Sequence, residues 1–284
     1  MYFMLLGATR RQWLKRMSAP VLAGSIYPTL IEPRWLQFVE REARFFDAPP
    51  GRPVRLMHLS DLHASWFVPD SLIESAIDRT VAARPDLICV TGDFVTGRGG
   101  YDPAWYVRQL SRLPRAAPTF AVLGNHDGGV WAATRGGHGT HEPVRLLVEE
   151  AGIEVLHNRS QLLTVRGLSI RLTGLGDFWA EEMEARRAFS GVADDAASIV
   201  LSHNPDTKAA LAAYPWRLML SGHTHGGQIR IPAVGTPFAP VADRRYVDSL
   251  RPWKDRWIHV SRGVGNSVSV RANCPPEINL LLLG

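Results

Sequence analysis

The sequence predicts a layered α/β fold with two β-sheets packed face to face. Three features predict it. From Pro53 onward, short apolar runs alternate with longer amphipathic segments, the pattern of a largely parallel sheet whose strands are joined by helices. Beyond Gly152 the runs follow one another with fewer helices between them, which points to a second sheet. Several runs also stop at Asp, Asn or His, as strands do when their carboxyl ends deliver ligands to one crevice.

The elements follow in chain order. In "RWLQFVEREARFF" (34–46), Trp35, Val39, Ala43 and Phe46 share a helix face, with Arg34, Arg41 and Arg44 placed for lipid headgroups. Leu36, Phe38 and the β-branched Val39 favour a strand instead, and a strand is expected. "VRLMHLS" is an apolar strand ending at "DLH". "DSLIESAIDRTVAAR" is a helix, with Ser71 and Glu74 as a capping box and Leu72, Ile73, Ala76, Ile77 and Val81 as its stripe. "DLICVTGD" is the second strand of the body. "DPAWYVRQLSRL" is a helix capped by Asp102 with Pro103 at its first position. "TFAVLGNHD" is a strand, and "EPVRLLVEEAG" a helix closed by Gly152. "LLTVRGLSIRLTG" reads as a hairpin turning at Arg166-Gly167. A charged helix "AEEMEARRAF", a strand "SIVLSHNP" and a short helix "DTKAALAAY" come next. "WRLMLSGHTH", "GQIRIP", "WIHVSRG" and "EINLLLL" close the chain as strands.

With 284 residues, 45% hydrophobic and 21% charged, the chain has the composition of one large globular domain with a possible appendage. The net charge of +5 suggests a nucleic-acid partner only until it is located. Arg10, Arg11, Lys15 and Arg16 stand in an acid-free first thirty residues and account for all but one of that charge. The excess lies in a tail and not in a groove, so no nucleic-acid partner is expected. Cys89 and Cys274 are too far apart in sequence for a metal motif, and both read as structural.

Four runs share an ending, "LSDLH", "VTGDF", "VLGNHD" and "LSGHTH", and "VLSHNP" adds another histidine. Together they offer Asp61, His63, Asp93, Asn125, His126, His203, His223 and His225. A lone histidine beside an apolar strand is usually a hydrogen-bonded core residue, but that reading does not explain the whole set. Carboxylate, imidazole and amide oxygen in combination suit divalent transition ions such as Mn, Fe or Zn. His223 and His225 stand two apart, so in an extended segment both would face one site, and the neighbouring glycines would let the backbone turn without bulk.

The order D-x-H, G-D, G-N-H-D, H, G-H-x-H resembles that of the calcineurin-like metallophosphoesterase superfamily. "AVLGNHD", "LSHNPD", "LSGHTHGGQ", "VSRGVG" and "CPPEINLLLL" resemble its bacterial, twin-arginine-exported branch. Some members of that broader branch are UDP-2,3-diacylglucosamine pyrophosphatases. The resemblance covers about residues 50–284 and implies a calcineurin-like four-layer sandwich of two mixed sheets flanked by helices. It implies two divalent ions: Asp61, His63 and His225 on one, Asn125, His203 and His223 on the other, and Asp93 between them. A hydroxide shared by such a pair would attack phosphorus in line. His126 is implied to protonate or stabilise the leaving oxygen. One position departs from the family: Thr96 stands where many relatives carry an acid that orients this histidine, so that either Asp127 replaces it or His126 is less basic than usual.

The domain reading is a tail over residues 1–31 and a metallophosphoesterase domain over 32–284. "TRRQWLK" resembles a twin-arginine export signal with Trp13 in place of Phe. The apolar stretch after it, residues 17–31, is short and broken by Pro20 and Pro28, so it reads as an export signal or a membrane-associating tail rather than a span. Substrate contacts are expected from Arg135, His138 and His141 in "RGGHGTH", and an apolar rim from "SWFVPD". The substrate expected is a phosphorylated small molecule or a glycolipid, met at the cell envelope on the periplasmic side. The alternative is a lipid A pathway pyrophosphatase on the cytoplasmic face of the inner membrane. Against it, dedicated hydrolases of that pathway commonly carry Arg where His126 stands. A non-catalytic scaffold is disfavoured because no ligand of the set is missing, and no glycine-rich phosphate loop is present.

Overall fold

The computed structural model describes residues 26–43, 53–191, 197–266 and 268–284. The expected export signal therefore lies, up to residue 25, outside the described residues. Twelve strands among these residues form two six-stranded mixed sheets. The first sheet has the order β1 (Gln37–Ala43), β12 (Glu277–Leu283), β2 (Val54–Leu59), β3 (Leu87–Thr91), β4 (Thr119–Val122) and β5 (Glu154–Val155). The second has the order β10 (Ser249–Trp253), β11 (Arg256–Val260), β9 (Leu218–Ser221), β8 (Ala197–Leu201), β7 (Leu168–Gly174) and β6 (Arg159–Val165). β2, β3, β4 and β5 run parallel, as do β11, β9, β8 and β7.

Three apolar layers explain why the central strands are apolar on both faces. Leu56, Cys89 and Val122 of the first sheet meet Leu172, Leu201 and Leu220 of the second in a dry middle layer. Met57, Ile88 and Ala121, one residue out of phase, meet the outer helices through Leu72, Ile73, Ile77, Tyr106, Leu110 and Val148. The helices of this part of the chain are α1 (Asp70–Ala82), α2 (Pro103–Leu110), α3 (Arg112–Ala116), α4 (Gly129–Ala133) and α5 (Glu142–Glu150), of which α1, α2, α3 and α5 contribute to this layer. The second sheet's outer face packs Val200, Met219 and Ile258 under Phe189, Leu211 and Trp216. The four-layer sandwich of two mixed sheets flanked by helices is thus the fold.

Local expectations met the structure unevenly. Asp102 caps α2 by accepting the Ala104 N–H at 2.9 Å, and Gly152, at φ +84°, closes α5. Arg166 and Gly167 both have positive φ, the turn that suits a two-residue hairpin between β6 and β7. The residues 34–46 contribute a strand, β1, parallel to β12. The Ser71 capping box does not form: α1 begins two residues earlier, with Pro69 at the cap and no side-chain cap bond. "AEEMEARRAF" yields only the single turn α6 (Ala185–Ala188), and "DTKAALAAY" only a 3-10 turn over Pro205–Lys208. "GQIRIP" makes isolated bridges from Ile229 to Ala272 and from Ile231 to Gly235 in place of a strand. Too few apolar residues in that segment find a sheet face to cover.

Candidate metal centre

β2, β3 and β4 of one sheet and β8 and β9 of the other end at the same edge of the sandwich, and each continues into a turn that carries polar residues. The five turns are stitched together. Asp61 N–H donates to Gly92 O and His63 N–H to Asp93 O, both at 2.9 Å. His203 Nδ1 reaches Thr91 O at 2.6 Å, from the second sheet to the first. His223 N–H donates to the Asp61 carboxylate at 3.1 Å. Asp61, His63, Asp93, Asn125, His203, His223 and His225 are all buried.

The backbone here is strained. Asp61, His63, Asp93, His223 and His225 all sit at φ between 50° and 69°, a region that side-chain-bearing residues rarely occupy. Such outliers persist where the surroundings over-determine them, often at functional sites. This corrects the alternation argument: His223 and His225 are not in extended chain, and left-handed turns after β9 bring their rings in. Glycine matters at the neighbouring positions. A Cβ on Gly222 would overlap Ser60 Oγ and the Asp61 carboxylate, and one on Gly124 would overlap Asp93 Oδ1.

One donor atom each from Asp61, His63, Asp93 and His225 lies within 4.8 Å of the others. His63 Nε2 is 3.0 Å from His225 Nε2, 3.8 Å from Asp61 Oδ1 and 3.5 Å from Asp93 Oδ2. Beside this cluster, His203 Nε2 stands 3.2 Å from Asp93 Oδ2, and His223 Nδ1 stands 2.8 Å from Asn125 Oδ1. His223 Nε2 is buried with no partner. Burial pushes His63 and His223 down to about 3, so both rings are neutral at neutral pH and keep a lone pair to give. Burial likewise pushes Asp61 up to about 7, with Asp93 adding and His203 opposing. For Asp93, burial alone would raise its pKa, but His203 and His126 outweigh that and hold it well below the usual carboxylate range. Crowded buried carboxylates facing neutral imidazoles are a poor arrangement for protein alone and a good one for a divalent cation. The residues fit a metal.

The remaining expected residues separate into cavity and support. A cavity of about 570 Å³ opens over Asp93, Asn125, His126, His223 and His225, with Trp131, Arg135, Trp179, Ile229, Phe238 and Val268 among its walls. The His126 N–H donates to Asp93 Oδ1 at 2.8 Å, while its ring packs edge-on to Trp131 and His63. Burial lowers its pKa. The Arg135 guanidinium lies 4.0 Å over the Trp131 ring. Asp127 does not take the missing acid's place. Its oxygens accept the Val95 N–H at 3.1 Å and the Gly124 N–H at 2.9 Å, so it pins two turns and leaves the His126 ring alone. Thr96 turns to another histidine: its Oγ1 bonds His63 Nδ1 at 2.5 Å, leaving Nε2 toward the cluster. Thr96→Val should lower Mn(II) affinity about 10–100-fold, since such outer contacts fix the ligand's tautomer and aim. Titration calorimetry of the two proteins at one pH measures it, and equal affinities would deny Thr96 that role.

His138 and His141 are not among the residues lining the cavity. His141 is buried behind the Asn125 turn, with Nε2 donating to Gly124 O at 3.0 Å and Nδ1 on the Glu182 carboxylate at 2.9 Å. Burial would lower its pKa, but Glu182 raises it overall, and His141 in turn lowers Glu182. The pair therefore stabilises the fold between two limits. It fails as pH falls through the depressed Glu182 value, and again as pH rises through the raised His141 value. The gap in Tm between the wild type and Glu182→Gln should be largest near about pH 6 and close in alkaline buffer, as thermal melts across pH would show.

Trp131 and Trp179 have no signal in the sequence that distinguishes them from core tryptophans. Asp177 places the second: its Oδ1 accepts the Trp179 and Ala180 N–H groups, both at 2.8 Å, and the indole meets the His223 ring edge-on at 4.2 Å. Cys274, buried and free, donates from Sγ to His225 O at 3.3 Å, bracing that turn.

Comparison with known proteins agrees with this geometry. Residues 54–227 match the model of the calcineurin-like phosphoesterase family. The chain is similar to "Phosphodiesterase YaeI" of Escherichia coli (strain K12), 39% identical over 97% of this chain and 99% of that one. It is also similar to an uncharacterized metallophosphoesterase of Bacillus subtilis (strain 168), YkuE, at 29% identity over 97% of each chain. A third relative is the UDP-2,3-diacylglucosamine pyrophosphatase LpxG of Chlamydia trachomatis, 26% identical over 80% of this chain and 83% of that one.

Proposed function

The chain belongs to the calcineurin-like phosphoesterase family, and on that premise we propose that it cleaves phosphodiester or pyrophosphate bonds with two divalent ions at the cell envelope. That it is a metal-dependent hydrolase of phosphoester or phosphoanhydride bonds follows from the family and the buried cluster. One observation carries the two-ion reading. Asn125, His203 and His223 form a second donor set that abuts the first, with His203 Nε2 3.2 Å from the same Asp93 oxygen that faces His63. Mn, Fe or Zn ions held in the two sets would supply positive charge to the phosphoryl oxygens and lower the pKa of water.

The chain's own residues do the rest. Asp93 would serve as the shared anion, offsetting the repulsion of two cations. His126, neutral at pH 7 because burial lowers it, donates an N–H to the leaving oxygen. Trp131 and Trp179 wall the cavity against water, and Arg135 meets a further anionic oxygen of the substrate. A diester is supported by the phosphodiesterase name of the Escherichia coli relative, and an anhydride by that of the chlamydial ones. The envelope is supported by the "TRRQWLK" stretch, and a phosphorylated small molecule or glycolipid fits the half-apolar cavity.

Diesters with graded leaving groups test this reading. His126→Ala should slow cleavage of an alkyl leaving group about 100–1000-fold and of p-nitrophenolate about tenfold or less, because only the poor leaving group needs the donor. Equal losses would remove His126 from that role. No turnover of any diester or pyrophosphate by the Mn-loaded wild type would sink the reading.

A further inference from the structure

Ile229, Phe238 and Val268 of the cavity wall lie in segments bonded to others that carry exposed apolar side chains, which the phosphoesterase chemistry does not require. Trp66 is 85% exposed, Phe238 68%, Val268 57%, Phe67 56% and Leu30 55%, with Ile31 and Tyr27 nearby. Single exposed apolar residues need no explanation, but a contiguous set does. Backbone bonds show that these belong together. Arg271 N–H donates to Pro28 O at 2.8 Å, and the Glu32 carboxylate, itself fully buried, accepts the N–H groups of Asn273 and Cys274. Ala272 N–H donates to Gln228 O at 2.9 Å, and Arg230 N–H to Ala272 O at 2.8 Å. Ser269 Oγ donates to Phe67 O at 3.4 Å. Four segments, around residues 27–32, 66–67, 228–238 and 268–274, are thereby joined side by side. Val268, Ile229 and Phe238 are at once rim and cavity wall.

We propose that this rim docks on the surface of an anionic phospholipid bilayer, so that the cavity opens at the lipid interface. The charge pattern selects that occupant. The chain reaches the rim at Ile26 directly from twenty-five residues that carry Arg10, Arg11, Lys15 and Arg16 and no acid, and Arg34 adds an exposed cation whose guanidinium braces Leu30 O at 2.7 Å. Apolar side chains flanked by cations bind interfaces by burial plus attraction to anionic headgroups. Among the described residues no helix is long and apolar enough to cross a membrane. The proposal deepens the phosphoesterase reading by placing the substrate's phosphate at headgroup depth. It rests on that reading only for what the cavity does.

Vesicle co-sedimentation of the full chain tests it, using equal parts phosphatidylglycerol and phosphatidylcholine against phosphatidylcholine alone. The wild type should partition onto the anionic vesicles, less so in high salt. Leu30→Ser with Ile31→Ser, and separately Trp66→Ser with Phe67→Ser, should each weaken partitioning at least about tenfold. Turnover of bis(p-nitrophenyl) phosphate should stay within about twofold in Leu30→Ser with Ile31→Ser, which separates failure of docking from failure of the phosphoesterase reading. In the wild type, amide exchange at 27–31 and 66–67 should slow when anionic vesicles are added, a readout that needs no variant. Undiminished binding by both variants would assign the membrane contact to the leading segment alone and overturn the proposal. So would no wild-type binding to anionic vesicles. A rim that instead holds two copies of the chain together, with the variants monomeric and no vesicle bound, would overturn it as well.

Discussion

Asp93→Asn should cost at least about a thousandfold in turnover of bis(p-nitrophenyl) phosphate and leave the protein folded. The size follows from how much converges on this one carboxylate. Its oxygens face His63 Nε2 at 3.5 Å and His203 Nε2 at 3.2 Å, and accept the His126 N–H at 2.8 Å. An amide of the same shape keeps an oxygen for the His126 N–H but removes the negative charge that two cations would share. It also loosens His203, whose raised pKa depends in part on that charge: burial alone would lower it, and Asp93, with Asp61 and Asp177, outweighs burial. Metal content should fall together with turnover. Activity lost with full metal occupancy would mean that Asp93 acts on the substrate and not on the ions.

The second large effect belongs to a residue with no side chain. Gly222→Ala places a methyl group onto Ser60 Oγ and the Asp61 carboxylate, and neither can retreat. Ser60 Oγ is held to Thr91 O at 3.1 Å, inside a seam that continues through Thr91 to His58 at 2.8 Å. Asp61 is fully buried and tied to His223 N–H. Overpacking of this kind costs about 1–3 kcal/mol in stability. The functional loss should be larger, because the displaced group is a metal ligand: metal binding in the variant should become undetectable at micromolar ion. Thermal melts with and without Mn(II) measure both, and the stabilisation that Mn gives the wild type should vanish in Gly222→Ala.

Much of this site was legible because polar residues stand where apolar strand-length runs stop. "LSDLH" and "VTGDF" announce that Asp61, His63 and Asp93 follow buried strands, and parallel strands bring such ends to one edge. What stayed hidden is what depends on turns and on chain folding between distant segments. The spacing of His223 and His225 suggested strand alternation, and the left-handed turns that in fact aim them leave no mark beyond their glycines. Asp127 sits beside His126 in sequence, yet the tight turn points it at Gly124 and Val95. Thr96 is a departure from the family pattern in sequence and a partner of His63 in space. Trp179 stands just before the segment that reads as a charged helix, and the Asp177 turn explains why its indole meets His223. In the fold, strands with continuous apolar character were read correctly. "GQIRIP" was not, because its alternation has no sheet edge to pair with.

The most direct test of the central claim is the metal content of the purified wild type, read by elemental analysis after chelation and after reloading with Mn(II), with diester turnover followed in the same samples. About two ions per chain after reloading, with turnover abolished by chelation and restored in step with occupancy, is the predicted result. Full turnover by the chelated protein, or no ion retained under any loading condition, would contradict it.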